Sequence, residues 1–296
     1  MSKLDQRDSR SSGLISGIIG GTSFGTAAIF IRLITINALS ITVWRLIFGG
    51  LFLIIMYRIP RKIFKQYISL SIYLSFILFL HFFFFIKSVQ DTYIINATLI
   101  TNSAPLITLI TLWLLRLERV TLYDCIIVLL GFAGILVMSI QGFKIGQKLI
   151  GDIEALIAAT MLSFYAIFAR TKMKNEINPS YLAGFIYTLA GLQGLIVAEI
   201  MLMIQIPMTT NDIIFISLLT LIPTVVGHTL YLYSLRSLSP HETQVLALLE
   251  PIIATILGFI FLGEVPPVSS ILGGVFICIL SLIHISEPTR PRLISY

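Results

Sequence analysis

Charge is what this sequence has least of. Asp, Glu, Lys and Arg make up only 11% of its 296 residues, hydrophobic residues make up 57%, and the mean hydropathy is +0.97. Soluble domains carry about 25% charged residues, so this chain has less than half the usual means of covering a water-facing surface. A soluble enzyme and a disordered chain are excluded. Cysteine is nearly absent: Cys125 and Cys278 both sit inside apolar runs, which excludes a disulfide scaffold. The phosphate-binding pattern G-x-x-x-x-G-K-[ST] is missing, so ATP-driven work would need a separate subunit. His241-Glu242 opens an H-E-x-x-H pattern, but position 245 is Val, and no zinc or other metal site is expected. No cofactor is implied, and no Ser–His or Cys–His pair stands at a catalytic spacing.

What the sequence has in abundance is long apolar runs. Ten are separable, at 13–31, 39–57, 67–86, 92–115, 121–140, 151–169, 181–204, 213–235, 243–262 and 268–283. Each can cross about 30 Å of hydrocarbon as a helix. They lack the alternation of an outer-membrane barrel, and backbone groups in lipid must be bonded within the protein. The expectation is an all-α membrane protein with ten transmembrane helices. The first run has no small-residue cleavage site and a second span follows closely, so it does not read as a cleavable signal.

The basic residues orient the spans. Of 20 Lys and Arg, 15 fall in the N-tail, the C-tail and the loops after spans 2, 4, 6 and 8; four fall in the opposite loops, and Arg45 lies inside a span. That bias places both termini in the cytoplasm of a plasma or inner membrane. The net charge of +6 is then a topology signal and implies no nucleic-acid partner. The same topology separates Asp124 from Asp152 by about 30 Å of bilayer, which excludes an intramembrane aspartyl protease built on that pair.

The two halves resemble each other. Ala28-Ile29-Phe30-Ile31-Arg32 ends span 1 and Ala166-Ile167-Phe168-Ala169-Arg170 ends span 6. Pro105 and Glu118 in and after span 4 are matched at the same spacing by Pro251 and Glu264 in and after span 9. His81 precedes Pro105 by nearly the interval at which His228 precedes Pro251. Five spans per half is an odd number, so the second copy enters the membrane from the other side. The expected organisation is a cytoplasmic N-tail at 1–12, read as disordered, a first five-helix repeat at 13–142, a second inverted five-helix repeat at 150–283, and a polar tail at 284–296. That tail reads either as plain disorder or as a foreign scar. Inverted repeats are a common plan of secondary transporters, with the substrate site near the midplane.

Gly227-His228-Thr229-Leu230-Tyr231, Ser239-Pro240, Leu248-Leu249-Glu250-Pro251 and Leu262-Gly263-Glu264 resemble the second half of an EamA-type member of the drug/metabolite transporter superfamily. The first half matches more loosely, through Pro105, Glu118 and the Gly131/Gly134 pair. The resemblance implies ten helices in two inverted repeats, a central cavity, and a peripheral last helix in each half. Many members carry a Trp in the first helix of each half; this chain has Thr22-Ser23-Phe24 and Leu162-Ser163-Phe164 there.

Candidate substrate contacts follow from the cost of polar groups in lipid. Glu250, near the middle of span 9, costs about 2.5–3.5 kcal/mol on translocon scales. It is suited to a proton, a cation or a substrate amine, or else to a packing role. His81 and His228 can relay protons or be satisfied packing residues. Asn96, Thr98, Thr101 and Asn102 give span 4 a polar side, for a cavity lining or for interhelical bonds. Arg45 either snorkels to the outer surface or meets an anion in the cavity. Tyr165 and Tyr231 either line a pocket or sit in the interfacial belts. Pro105 and Pro251 are expected to bend their helices, freeing the carbonyls of Thr101 and Ala247. Gly13, Gly17, Gly21 and Gly25 form a smooth stripe for close helix approach. The reading is a secondary transporter of a small organic metabolite, an amino acid or amphipathic compound by family resemblance. Its partners are that substrate, the bilayer and a coupling proton or ion. The alternatives are an ion-driven importer of a sugar or nucleotide-sugar, and a membrane scaffold or lipid-modifying enzyme. Oligomeric state is not legible.

Overall fold

The computed structural model describes residues 3–140, 149–173, 177–262, 268–269 and 271–277, and these contain helix and no strand. In chain order the helices are α1 (Lys3–Phe24), α2 (Ala27–Leu33), α3 (Ala38–Met56), α4 (Arg61–Asp91), α5 (Ile94–Thr101), α6 (Ala104–Leu114), α7 (Leu122–Ser139), α8 (Leu149–Lys172), α9 (Pro179–Ile200) and α10 (Thr210–Leu219). A π-helical segment (Thr220–His228) then runs into α11 (Thr229–Ser234), followed by α12 (Pro240–Ala247) and α13 (Glu250–Leu262). Eight stretches among the described residues are long and apolar enough to cross a membrane, and Leu122–Val137 is a shorter apolar helix. Large apolar side chains such as Ile55, Trp113, Leu122 and Phe261 point outward, which is stable only where the surroundings are hydrocarbon. The chain is an integral membrane protein. Glu264, Cys278 and the tail at 284–296 lie outside the described residues.

Residues 3–12 depart from the disordered tail that the polarity of 1–12 suggests. Helix α1 begins at Lys3, and Arg10 is tied at 3.1 Å to the Glu242 carboxylate. Spans 4 and 9 also differ from single kinked helices: each is a pair of half-helices, α5–α6 broken at Asn102–Ser103 and α12–α13 broken at Leu248–Leu249. The prolines explain both breaks. Pro105 and Pro251 occupy the second position of α6 and α13, where a missing N–H costs nothing, and neither can bond the carbonyl four residues back.

Contacts at the helix ends fix the directions. Arg10 and Arg32 lie on one apolar stretch, Ser9–Leu33, roughly 33 Å apart at about 1.5 Å per residue. Arg32 Nη2 donates to the Thr92 carbonyl at the end of α4. Thr92 in turn donates to Asp152 at the start of α8. At its other end α8 carries Arg170, which donates to the Leu235 and Arg236 carbonyls after α11. Helix α8 therefore runs opposite to α1–α2. The matched arginines make matched contacts, each on the terminal carbonyls of the third span of its own half. Helices α3 and α9, which pack extensively on each other, are also built alike. Each starts at an asparagine cap, Asn37 or Asn178, and each ends in a left-handed residue, Arg58 or Leu202.

The glycine stripe of α1 works as close-packing geometry. Side chains added at Gly13, Gly17, Gly21 and Gly25 would all run into residues between Ser234 and Ile253. A Cβ at Gly25 would lie 2.5 Å from Ile253 Cβ and 2.7 Å from the Glu250 carbonyl oxygen, whereas at Gly49 the nearest atom is 3.5 Å away. Gly25→Ala is expected to lower stability by about 1–3 kcal/mol and Gly49→Ala to change it little. Thermal unfolding of both variants in detergent checks this, and equal stabilities would contradict the packing account.

Candidate functional site

The broken helices and the π-helical segment converge on one buried cavity. Its wall includes Phe24, Arg45, His81, Phe82 and Thr101 from the first half, and Leu162, Pro223, His228 and Glu250 from the second. Four sequence candidates thus meet at one place. The cavity measures about 30 Å³, space for about one or two waters, whereas solute pockets measure roughly 300–1,000 Å³. In this conformation the cavity is too small to hold a metabolite.

Arg45 is the most unusual member. It is 1% exposed and does not snorkel to the surface, contrary to the interfacial reading of its position. Its Nε and Nη2 donate to Thr224 Oγ1 at 3.0 and 2.7 Å. Its guanidinium carbon lies 4.1 Å from the centre of the Phe82 ring, a cation–π contact. Nη1 has no partner. Glu250, 7% exposed, opens α13 and receives the Asn102 side-chain amide at 3.5 Å, a long and weak bond. A cation with a spare donor and a carboxyl group with spare acceptors therefore share one small chamber.

The two histidines are neighbours, with ring centres 5.8 Å apart. His81 Nδ1 is bonded to the Ala158 carbonyl at 2.9 Å, whereas His228 Nδ1 has no partner and its ring packs 4.5 Å from both Phe24 and Phe82. Thr101 Oγ1 is also buried without a partner. A buried polar atom left unbonded costs about 1–3 kcal/mol, so three such atoms on one wall favour a guest that bonds them. Asn102 is one contact back from the cavity, through Glu250. Tyr165 and Tyr231 lie in the core cluster with Phe24, Phe82 and Leu162, away from any interfacial belt. Asn96 is placed elsewhere. It donates to Asp152 at 3.0 Å at the far end of the molecule and does not line the cavity, because it sits in the first turn of half-helix α5, whose last turn carries the cavity residue Thr101. Pro223 and Thr224 were not singled out from sequence. The available signal was Pro223, a third proline inside an apolar run.

Contacts between the halves close both ends. At one end Asp152 receives Thr92 Oγ1 at 2.8 Å and Asn96 Nδ2 at 3.0 Å, and Lys87 bridges Asp91 and Glu154. At the other end Arg10 meets Glu242, and His241 Nε2 lies 3.3 Å from Asp124 Oδ1. Asn96 and Glu242 hold the same register, three residues after the caps of α5 and α12.

A membrane-embedded helical protein with a buried polar cavity where its two halves meet has the architecture of a solute carrier. The profile of the EamA-like transporter family matches residues 11–140 and 149–286, and the chain belongs to that family. It is 25% identical over 260 residues to an uncharacterized transporter of Archaeoglobus fulgidus, covering 88% of this chain and 91% of that one. It is 27% identical over 176 residues to an uncharacterized transporter of Clostridium kluyveri, where the match spans 58% of this chain and 56% of the relative. A solved crystal structure superposes with a TM-score of 0.78 over 92% of this chain and 96% of the other, at 17% identity, which establishes likeness of fold.

A buried cation held by one hydroxyl and one ring is a poor stability device. Arg45→Met is expected to fold and to match the parent protein in thermal stability or exceed it by about 1 kcal/mol. Unfolding in detergent measures this; a large loss of stability would assign Arg45 to architecture instead.

Proposed function

We propose that this chain is a secondary transporter of small zwitterionic metabolites, of the amino-acid class, working by alternating access. Arg45 takes the substrate carboxylate and Glu250 its ammonium group, while His81, His228 and Thr101 line the space between. One observation carries the reading: a guanidinium with a free Nη1 and a carboxyl group with one weak bond face the same closed cavity between the halves. The organisation proposed is ten spans as two inverted five-helix repeats, 13–142 and 150–283, with both termini cytoplasmic. The opposed directions of α1–α2 and α8 and the matched arginine contacts support it.

The paired contacts at the two ends are the gates. Opening one end breaks Asp152–Thr92/Asn96 and Lys87–Glu154; opening the other breaks Arg10–Glu242 and His241–Asp124. Each set stays intact while the other parts, and the half-helix junctions beside Pro105 and Pro251 absorb the movement. Export is the direction the family resemblance favours. A proton carried by Glu250 would couple the cycle, since one carboxyl group can hold either a proton or a substrate ammonium. The competing readings are an ion-driven importer of a sugar or nucleotide-sugar, which has no need of a carboxyl group for an ammonium, and a membrane scaffold or lipid-modifying enzyme, which gives no solute counterflow.

In proteoliposomes, labelled amino acids are expected to show counterflow, and an imposed pH gradient to drive net movement. Absence of amino-acid transport under every gradient would contradict the proposal. Glu250→Gln is expected to abolish the response to the gradient; an undiminished response would remove Glu250 from coupling. For the gates, Asp152→Ala in a chain with Cys125 and Cys278 replaced by serine is expected to speed labelling of Thr101→Cys by a membrane-impermeant maleimide several-fold, from one side only. Unchanged labelling would remove Asp152 from gating.

A further inference from the structure

Pro223 and Thr224 sit in the π-helical segment Thr220–His228, and their chemistry ties them to Arg45. Pro223 has no N–H and cannot bond the Leu219 carbonyl four residues back; the π-helical register gives that carbonyl the backbone N–H of Thr224, five residues on. The hydroxyl of Thr224 adds a second bond to the Leu219 carbonyl at 2.9 Å. Its single proton is then committed, and both lone pairs point to the other side, where they accept Arg45 Nε and Nη2. A threonine hydroxyl has one proton and two lone pairs, so its capacity is filled. Tyr187 reinforces the segment by donating to the Thr224 carbonyl at 3.3 Å. Two bonds from one edge of a planar guanidinium to one oxygen fix the plane and leave Nη1, on the opposite edge, without a partner at the cavity. π-Helical turns recur at functional sites because they displace a side chain from the regular helical register.

We infer that Thr224 is the positioning residue for substrate specificity: held on the Leu219 carbonyl, it orients Arg45 so that Nη1 meets a substrate carboxylate. The inference rests on the proposed zwitterion reading and deepens it, since it assigns the carboxylate requirement to a hydroxyl that touches no substrate. Pro223 excludes the α-helical bond, the Leu219 carbonyl fixes the Thr224 hydroxyl as an acceptor, and Arg45 transmits that orientation to the chamber.

The test uses the full-length protein in proteoliposomes, with an amino acid and its decarboxylated amine as paired substrates. Thr224→Val keeps the shape and removes the hydroxyl. The KM for the amino acid is expected to rise roughly 10-fold to 100-fold, the effect of losing hydrogen bonds to a charged group. The KM for the amine, which offers Arg45 no carboxylate, is expected to change far less. Thr224→Ser restores the amino-acid KM. An unchanged amino-acid KM in Thr224→Val, or equal losses for both substrates, overturns the inference. Arginine side-chain NMR supplies a readout independent of transport. Rotation about the Arg45 Cζ–Nε bond is expected to quicken in Thr224→Val and stay slow in Thr224→Ser. Unchanged rotation in Thr224→Val overturns the positioning role even where transport falls. Quickened rotation in a protein that carries no amino acid supports the positioning role and contradicts the proposed function alone.

Discussion

A guanidinium in the middle of a lipid-embedded protein has to be held, and the way Arg45 is held organises everything around it. Its partners are one threonine hydroxyl and one phenylalanine face. Neither carries the opposite charge, so the arginine is solvated only in part. The acid in the lining of the same cavity is Glu250, itself bonded only weakly by Asn102. A pair arranged for stability alone would close directly on itself, or be replaced by apolar residues. Keeping the two charges on separate walls of a common space leaves both available to a third molecule.

That arrangement requires the helices to be interrupted. The half-helix junctions, the turn at Gly25–Thr26 and the π-helical segment all lie around the chamber, and each brings backbone or side chain to its wall that an unbroken helix would turn away. Irregular backbone at membrane depth is tolerated where it is buried in protein or lines a cavity. The glycines of α1 let α12 and α13 approach closely enough to seal it. The polar contacts at the two ends bridge the halves, so the closed chamber is a property of both halves together.

Much of this was legible from sequence because lipid imposes strong rules. A shortage of charge, long apolar runs and the distribution of Lys and Arg define an integral membrane protein with little ambiguity. Spacing paired His81 with His228 and Pro105 with Pro251, a shared Ala-Ile-Phe-x-Arg ending paired Arg32 with Arg170, and the structure places the histidines side by side and gives the arginines equivalent contacts. Glu250 was found through its cost in lipid. Arg45 was harder, since its place early in a span suits snorkelling equally well, and only packing reveals that it turns inward to Thr224. Asn96 misled for a related reason: a polar face on a helix does not say how far along the helix the cavity extends. Thr224 was invisible because a threonine in a transmembrane run is ordinary, and its importance comes from a π-helical register beside a proline and an arginine on another helix. The polar N-terminal residues were misread because the acid that orders them, Glu242, lies more than two hundred positions away.

The central claim is that the chamber binds a zwitterion between Arg45 and Glu250. A structure determined with an amino acid trapped inside tests it most directly. The account predicts the carboxylate within hydrogen-bond distance of Arg45 Nη1 and the ammonium within the same reach of Glu250. An amino acid bound elsewhere, or Arg45 and Glu250 paired to each other with the ligand in place, would contradict it.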